Sequence, residues 1–276
     1  MFNRLGLYRQ RGAGRCGLCG QDRVMTEAHV PPQSCGNSGE VRERAQWVSD
    51  VGGARLGPYK PGGVSVYGLC RDCNALTSDK ADPAYIDFHR RVSSVLGENV
   101  QLLLVEPGQL PVRVAPGLVA RSVLAGMFAI NDRLQDHFPD VARGLREKSD
   151  DLRLSDDLQL RLALTTGRKS RIGGPVGYMR VLGQRAFYMP LADIWFPPLA
   201  WCLRSVKSAE ASLGVELTAA WGDVSDWIRY GPDLVTDLRN VTRTLPVAQP
   251  PQFGADEWML LTGDETMTAL EGRPRR

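Results

Sequence analysis

The sequence contains no long apolar run and only three histidines. No stretch approaches the roughly 18 consecutive apolar residues that a membrane-spanning helix requires. The first residues, MFNRLGLYRQR, have no continuous apolar core followed by a small-residue cleavage site, so they do not resemble a secretory signal. These absences predict a soluble cytoplasmic protein. In that compartment thiols stay reduced, so paired cysteines favour metal binding over disulfides.

The chain also has almost no net charge. The formal net charge is +3, and 43% hydrophobic with 24% charged residues is ordinary for a globular chain. The whole excess lies in residues 1–98, where 13 Lys and Arg face 10 Asp and Glu, whereas the remainder has 21 of each. A basic run without acids is typical of a solvated arm or of a phosphate-binding arm. Such a run occupies the first fifteen residues, with Arg4, Arg9, Arg11 and Arg15.

Four of the six cysteines form two C-x-x-C pairs, Cys16 with Cys19 and Cys70 with Cys73. Each pair lies where a tight turn is expected, and a C-x-x-C turn directs two thiolates at one point. Two such turns fill the tetrahedral sphere of Zn²⁺ and leave no open position. We therefore predict a structural zinc site. Cys35 and Cys202 have no matching partners and are interpreted as ordinary small residues.

The segment between the two pairs has a predictable order. RVMTEAHVPP predicts a short strand that contains His29 and ends at the double proline, because proline does not extend an interior strand. The glycine-rich stretch that starts at Gly36 predicts a long loop, and VSVYGL then predicts a second strand. A helix is expected to begin near Arg71. Asn74 lies in this helix, directly after the second cysteine pair.

Together these features resemble the HNH endonuclease family over about residues 14–90. The pattern is C-x-x-C, a histidine followed by an apolar residue and proline, and L-C-x-x-C-N entering a helix. The resemblance implies a ββα-metal fold, in which a β-hairpin and a helix hold one catalytic divalent cation, Mg²⁺ or Mn²⁺. By position, it implies that His29 is the general base and Asn74 a ligand of the cation. The four cysteines match the structural zinc of many members.

Two departures accompany the resemblance. Ala28 stands where many members place an Asp, Glu or His as a second metal ligand, and the nearest acid is Glu27. The middle asparagine of the signature is missing from GGVSVYG, which offers only Ser65. The chain thus resembles a sparser site, in which one asparagine, waters and the DNA phosphate hold the cation. Glu27 is an additional candidate ligand.

The predicted chemistry is the hydrolysis of DNA phosphodiester bonds. A histidine with an ordinary pKa of about 6.5 can take a proton from water near neutral pH, and a hard divalent cation stabilises charge on the phosphate. Phosphate contacts are expected from the basic residues Arg71, Lys80, Arg90 and Arg91. The alternative is a non-catalytic zinc-knuckle module that binds nucleic acid or protein. In that case Asn74 only caps its helix.

Residues 1–97 are predicted as the nuclease domain and residues 98–276 as a second domain of α+β type with a mixed or antiparallel sheet. In the second domain, GLVARSVLAGMFAINDRL predicts a buried helix and DIWFPPLAWCL predicts aromatic core packing. TGRKSRIGG predicts a loop with three basic residues, Arg168, Lys169 and Arg171, that is either solvated or in contact with a phosphate backbone. The roles we consider for this domain are target selection, binding of an activating ligand and homo-oligomer assembly. An appended domain suits a defence or mobile-element nuclease by analogy.

Overall fold

The computed structural model describes residues 12–47, 54–56, 58, 60–98, 110–165, 170–173, 177–179, 187–188, 190–206, 221–242, 245–248, 259–261 and 266–273. Within these ranges the chain has five α-helices and eighteen β-strands, so the prediction of a mixed α+β protein is confirmed. In the same ranges, no helix is both long enough and apolar enough to cross a bilayer.

The helices are α1 (Arg71–Ala75), α2 (Ala81–Glu98), α3 (Pro116–Ile130), α4 (Leu134–His137) and α5 (Pro139–Arg146). The strands of the first third are β1 (Ala13–Arg15), β2 (Asp22–His29), β3 (Glu40–Trp47), β4 (Ala54–Leu56), β5 (Lys60–Pro61) and β6 (Ser65–Cys70). The others are β7 (Arg113–Val114), β8 (Leu158–Thr165), β9 (Ser170–Gly173), β10 (Gly177–Met179), β11 (Phe187–Tyr188), β12 (Pro190–Phe196), β13 (Leu199–Ser205), β14 (Gly222–Asp223), β15 (Thr236–Asp237), β16 (Val247–Ala248), β17 (Met259–Leu261) and β18 (Thr266–Arg273).

The cysteine-containing segment forms a small antiparallel sheet in the order β1-β2-β6. Strand β2 ends at His29, and the next residue starts the cis peptide bond between Val30 and Pro31. Strand β6 leads directly into α1 at Cys70. Two paired strands and a short helix therefore surround the residues on which the family resemblance depends.

The long loop predicted from Gly36 is wrong in part, because it contains β3, β4 and β5. Strand β3 pairs along its full length with β18, from Glu40 opposite Arg273 to Trp47 opposite Thr266. Its partner thus comes from the far end of the chain, where no local pattern could indicate it. The pairing places β3 in the large sheet, whose main path runs β14-β8-β13-β12-β9-β18-β3-β4.

Helix α3 is the centre of the core, as its apolar composition predicts. Thirteen of its residues are buried, and Pro116 occupies the first turn, where its missing N–H costs no hydrogen bond. Buried residues from both sides of residue 97 belong to one hydrophobic cluster, among them Met25, Phe88, Phe128 and Trp227. The two predicted domains therefore share a core.

Two glycines allow the cysteine turns to rest on the end of α3. A Cβ atom on Gly17 would overlap the carbonyl oxygen of Phe128, and one on Gly68 would overlap that of Ala129. The two turns are also joined directly, since Gly17 N–H donates to the Gly68 carbonyl at 2.8 Å. The backbone of α3 thus sets the position of the small sheet.

The aromatic segment forms the hairpin β12–β13, which turns at the cis Pro197–Pro198 bond. Trp195 and Trp201 are buried, which confirms the predicted core packing. The prediction of a solvated Arg171 is wrong: this side chain is buried on β9, and its Nη2 lies 2.6 Å from Asp193 Oδ2. The sequence gives no sign of this partner, because pairing of β9 with β12 brings it there. Arg168 and Lys169 lie outside the described residues.

Candidate metal and catalytic site

The four paired cysteines come together at one point. Cys16 and Cys19 lie in the turn between β1 and β2, while Cys70 ends β6 and Cys73 lies in α1. Their Sγ atoms all lie within 4.8 Å of one another, and all four are free thiols. A set of four sulfur ligands around one point is compatible with a tetrahedral zinc site.

Hydrogen bonds to Cys16 favour its ionised form. The backbone N–H of Cys70 donates to Cys16 Sγ at 3.4 Å. The Cys73 thiol also donates to this sulfur, and chiefly through that bond the pKa of Cys16 is lowered to about 4 despite burial. The pKa of Cys73 is raised, since its proton is the one that the pair shares. The cluster therefore already stabilises a thiolate, which is the form that binds metal.

His29 has a defined tautomer. Its Nε2 lies 2.9 Å from the carbonyl oxygen of Gly62. Because a carbonyl only accepts hydrogen bonds, Nε2 carries the proton of the neutral ring and Nδ1 keeps the lone pair. No described residue donates to Nδ1. The ring therefore presents Nδ1 as a proton acceptor.

Asn74 is held through its nitrogen. Its Nδ2 donates to the Glu27 carbonyl oxygen at 3.0 Å and to Thr26 Oγ1 at 3.3 Å. The backbone acceptor fixes which end of the amide faces β2, since an amide oxygen there would be repelled. Within the described part of the chain, Asn74 Oδ1 accepts no hydrogen bond. It is a neutral oxygen of the kind that hard divalent cations accept as a ligand.

A shift in strand register brings the Glu27 carbonyl to Asn74. Thr26 pairs with Leu69, but Ala28 pairs with Val66, so β6 has one extra residue at this point. Such a bulge interrupts the ladder and changes the direction of neighbouring groups. The side chain of Asn74 supplies a donor where the ladder is interrupted.

His29 and Asn74 line the same cleft, which is open to solvent. Ala28 of β2 and several residues of α3 also line this cleft. Among the described residues, none of the four clustered cysteines lines it. Its further polar lining comes from Thr77, Asp82, Tyr85 and Ser122.

The sequence analysis missed Asn37, which organises the loop beside His29. Asn37 is 2% exposed, and its Nδ2 donates to the carbonyl oxygens of Pro31 at 2.6 Å and Val64 at 2.9 Å. Its Oδ1 accepts from Val64 N–H at 2.6 Å. Asn37 thereby ties the segment after β2 to the turn that carries Gly62. The glycines around it in GNSG predict a turn, but its partners are distant in sequence.

Glu27 lies on strand β2 but does not line the cleft in the described structure. Its exposed carboxylate accepts a hydrogen bond from Ser65 Oγ at 2.7 Å. Its backbone carbonyl, by contrast, contacts Asn74. The structure therefore brings His29 and Asn74 together in one cleft without the Glu27 carboxylate.

The four basic residues predicted near the helix are all exposed. Arg91 is paired with Asp87 one turn earlier on α2, at 2.7 Å. Within the described residues, Arg71, Lys80 and Arg90 form no ion pair. These three cations are thus available to an anionic partner.

The basic arm predicted at the start of the chain is described only at its end. Arg15 forms an ion pair with Asp136 and also donates to Gln135 at 2.9 Å. Arg4, Arg9 and Arg11 lie outside the described residues. Arg15 therefore helps to join β1 to α4.

No family model, curated protein or solved structure matches this chain. Its functional interpretation therefore depends on the residues of the cleft and on the cysteine cluster.

Proposed function

We propose that this protein is an HNH-type endonuclease that hydrolyses DNA phosphodiester bonds with the help of a divalent cation. The observation that carries the proposal is that His29 and Asn74 line one cleft beside a four-cysteine cluster. Each also presents an atom suited to its role, Nδ1 of His29 as a base and Oδ1 of Asn74 as a ligand.

The cysteine cluster would hold a structural Zn²⁺. The donor set fits, because four sulfur atoms lie within 4.8 Å and hydrogen bonds stabilise the Cys16 thiolate. A closed sphere of four sulfurs leaves no position for substrate. Such an ion would fix α1 against the small sheet and so keep Asn74 opposite β2.

The cleft would hold Mg²⁺ or Mn²⁺ through Asn74 Oδ1. When bound, the cation supplies positive charge that stabilises the scissile phosphate and the leaving 3′ oxygen. Mg²⁺ usually keeps several waters and takes few protein ligands. One amide oxygen in a cleft with polar walls is consistent with that preference.

His29 would accept the proton of the attacking water at Nδ1. As the ring becomes positive, its Nε2–H strengthens the hydrogen bond to the Gly62 carbonyl. That bond also holds the ring in one orientation. The exposed Arg71, Lys80 and Arg90 would bind flanking phosphates, which adds affinity without base selection.

The test is cleavage of supercoiled plasmid by the zinc-loaded full chain with Mg²⁺, with Mn²⁺ or with EDTA. The proposal predicts cutting only with added divalent cation, and a strong reduction in Asn74→Ala at limiting cation. DNA binding without cutting under every condition would instead support the non-catalytic zinc-knuckle module. The feature that favours this second candidate is Ala28, since it removes the usual acidic ligand.

A further inference from the structure

The cleft contains a carboxylate that the sequence analysis did not assign. Asp82 lies in the first turn of α2 and lines the same cleft as His29 and Asn74. Its Oδ2 accepts from Thr77 Oγ1 at 2.9 Å, and its Oδ1 accepts from Ser122 Oγ at 2.6 Å. These two bonds fix the carboxylate but leave a lone pair on each oxygen.

The charge of Asp82 is not neutralised by a basic side chain. Among the residues that the structure describes, no Lys, Arg or His forms an ion pair with it. The side chain is half-buried in the cleft, and carboxylate oxygens are ligands that hard divalent cations prefer.

Two neighbours of Asp82 in the cleft also favour a bound cation: one has a small side chain, and the other has a hydroxyl group without a hydrogen-bond partner among the described residues. Ala28 lines the cleft with only a methyl group, at the position where the family resemblance implies an acidic ligand. Tyr85 is 1% exposed and lines the same cleft. Its hydroxyl makes no hydrogen bond of normal geometry in the described part of the chain, although the Trp201 ring lies beside it. A cation-bound water would be a suitable partner.

We propose that Asp82 is the acidic group that holds the divalent cation in this cleft, together with Asn74 Oδ1. Asp82 thus replaces, from α2, the carboxylate that Ala28 cannot supply from β2. This inference depends on the proposed metal-dependent function. It adds a residue that neither the cysteine spacing nor the signature around His29 contains.

The experiment measures Mn²⁺ binding to the zinc-loaded full chain by electron paramagnetic resonance, without DNA. Asp82→Asn keeps the shape and both hydrogen bonds, because the Thr77 hydroxyl can accept from the new amide. We expect it to weaken Mn²⁺ binding by about 100-fold or more, because a direct ligand contributes more than its outer-shell partners, whose loss costs about 10- to 100-fold. Asp87→Asn is the matched control on the same helix, since Asp87 is exposed and paired with Arg91; it should leave binding unchanged.

Two further variants separate the possible failures. Ala28→Asp in the Asp82→Asn background should restore Mn²⁺ affinity, because it returns a carboxylate to the cleft. Wild-type affinity in Asp82→Asn, combined with weakened binding in Asn74→Ala, overturns the role of Asp82 and leaves the proposed function standing. Absence of Mn²⁺ binding to the wild-type chain overturns the role of Asp82, since that role is to hold the cation before a DNA phosphate joins it; plasmid cleavage with added cation then tests the proposed function separately. Binding that Asn74→Ala does not change overturns both, because the cation would then lie outside the cleft.

A variant with an intact carboxylate covers the case in which Asp82→Asn does not fold. Thr77→Val removes one of the two hydroxyls that position Asp82 and nearly preserves side-chain shape. We expect a severalfold loss of Mn²⁺ affinity in the folded Thr77→Val protein. Unchanged affinity would overturn the inference.

Discussion

The Nε2 atom of His29 lies 2.9 Å from the carbonyl oxygen of Gly62, and this contact determines which ring nitrogen is free. Asn37 holds the turn that contains Gly62, because its side chain donates hydrogen bonds to the carbonyl oxygens of both Pro31 and Val64. Orientation of the proposed base is therefore built into the loop that connects β2 to β6. Several consequences of this arrangement can be measured.

Asn37→Ala should reduce both stability and cleavage. The substitution leaves the Val64 N–H and the Pro31 carbonyl without their partner, whereas the Val64 carbonyl keeps the bond from Val30 N–H. Each unsatisfied buried group costs about 1–3 kcal/mol. We expect the free energy of unfolding, measured by urea denaturation, to fall by about 2–5 kcal/mol. Asn240→Ala is the control, since Asn240 is an exposed asparagine that bonds only to Thr236 among the described residues. Equal stability of the two variants would contradict the role given to Asn37.

Gly68→Ala should destabilise the small sheet against α3. The added Cβ would overlap the carbonyl of Ala129, and overpacking of this kind typically costs about 1–3 kcal/mol. Gly97→Ala is the matched control, because nothing lies within 4 Å of a Cβ at that position near the end of α2. There the substitution should be neutral or slightly stabilising. Thermal unfolding of both variants distinguishes the two effects.

Asn37 and Gly68 also show the limit of what the sequence could predict. The C-x-x-C spacing, the double proline after His29 and the apolar composition of α3 are local signals, and each indicated its element correctly. Asn37 and Gly68 depend on partners far away in the chain, so their neighbours in sequence do not reveal them. The same reason explains why β3, which pairs with β18, was predicted as a loop.

The environment of charged side chains was the property that local sequence predicted least well. Arg171 lies in a glycine-flanked basic stretch that is typical of a solvated loop, yet strand pairing buries it against Asp193. Asp82 comes after Asn74, the last residue of the signature, and no motif surrounds it, yet the packing of α2 on α3 places it in the cleft with Ser122. Whether such a residue is solvated or functional depends on tertiary contacts.

Zinc content should depend on the paired cysteines alone. We expect one zinc per chain in the purified protein and none retained in Cys73→Ser, with a large loss of stability because metal binding is coupled to folding. Cys35→Ser should keep its zinc, since Cys35 lies outside the four-sulfur cluster. Elemental analysis by mass spectrometry measures both. Zinc retained in Cys73→Ser would show that the cluster is not the binding site.

His89 should make stability depend on pH. It is buried, its Nε2 bonds to the Pro197 carbonyl at 3.0 Å, and burial lowers its pKa below the ordinary value. As pH falls, His89 is therefore protonated in the unfolded chain before it is protonated in the folded chain. The stabilisation that the buried neutral ring provides is complete above a pH of about 6.5, and it is lost as pH falls below that value. Urea denaturation at pH 7 and pH 5 should show a smaller difference for His89→Gln than for wild type. His137→Gln, which alters an exposed histidine, should retain the wild-type difference.

The most direct test of the nuclease assignment compares two histidine variants in plasmid cleavage with Mg²⁺. His29→Ala removes the proposed base, and a loss of about 10²- to 10⁴-fold in rate is expected, with zinc content and fold unchanged. His137→Ala, at an exposed histidine outside the cleft, should cleave like the wild type. Wild-type cleavage by His29→Ala would contradict the central claim, because the cleft would then not be the site of the chemistry.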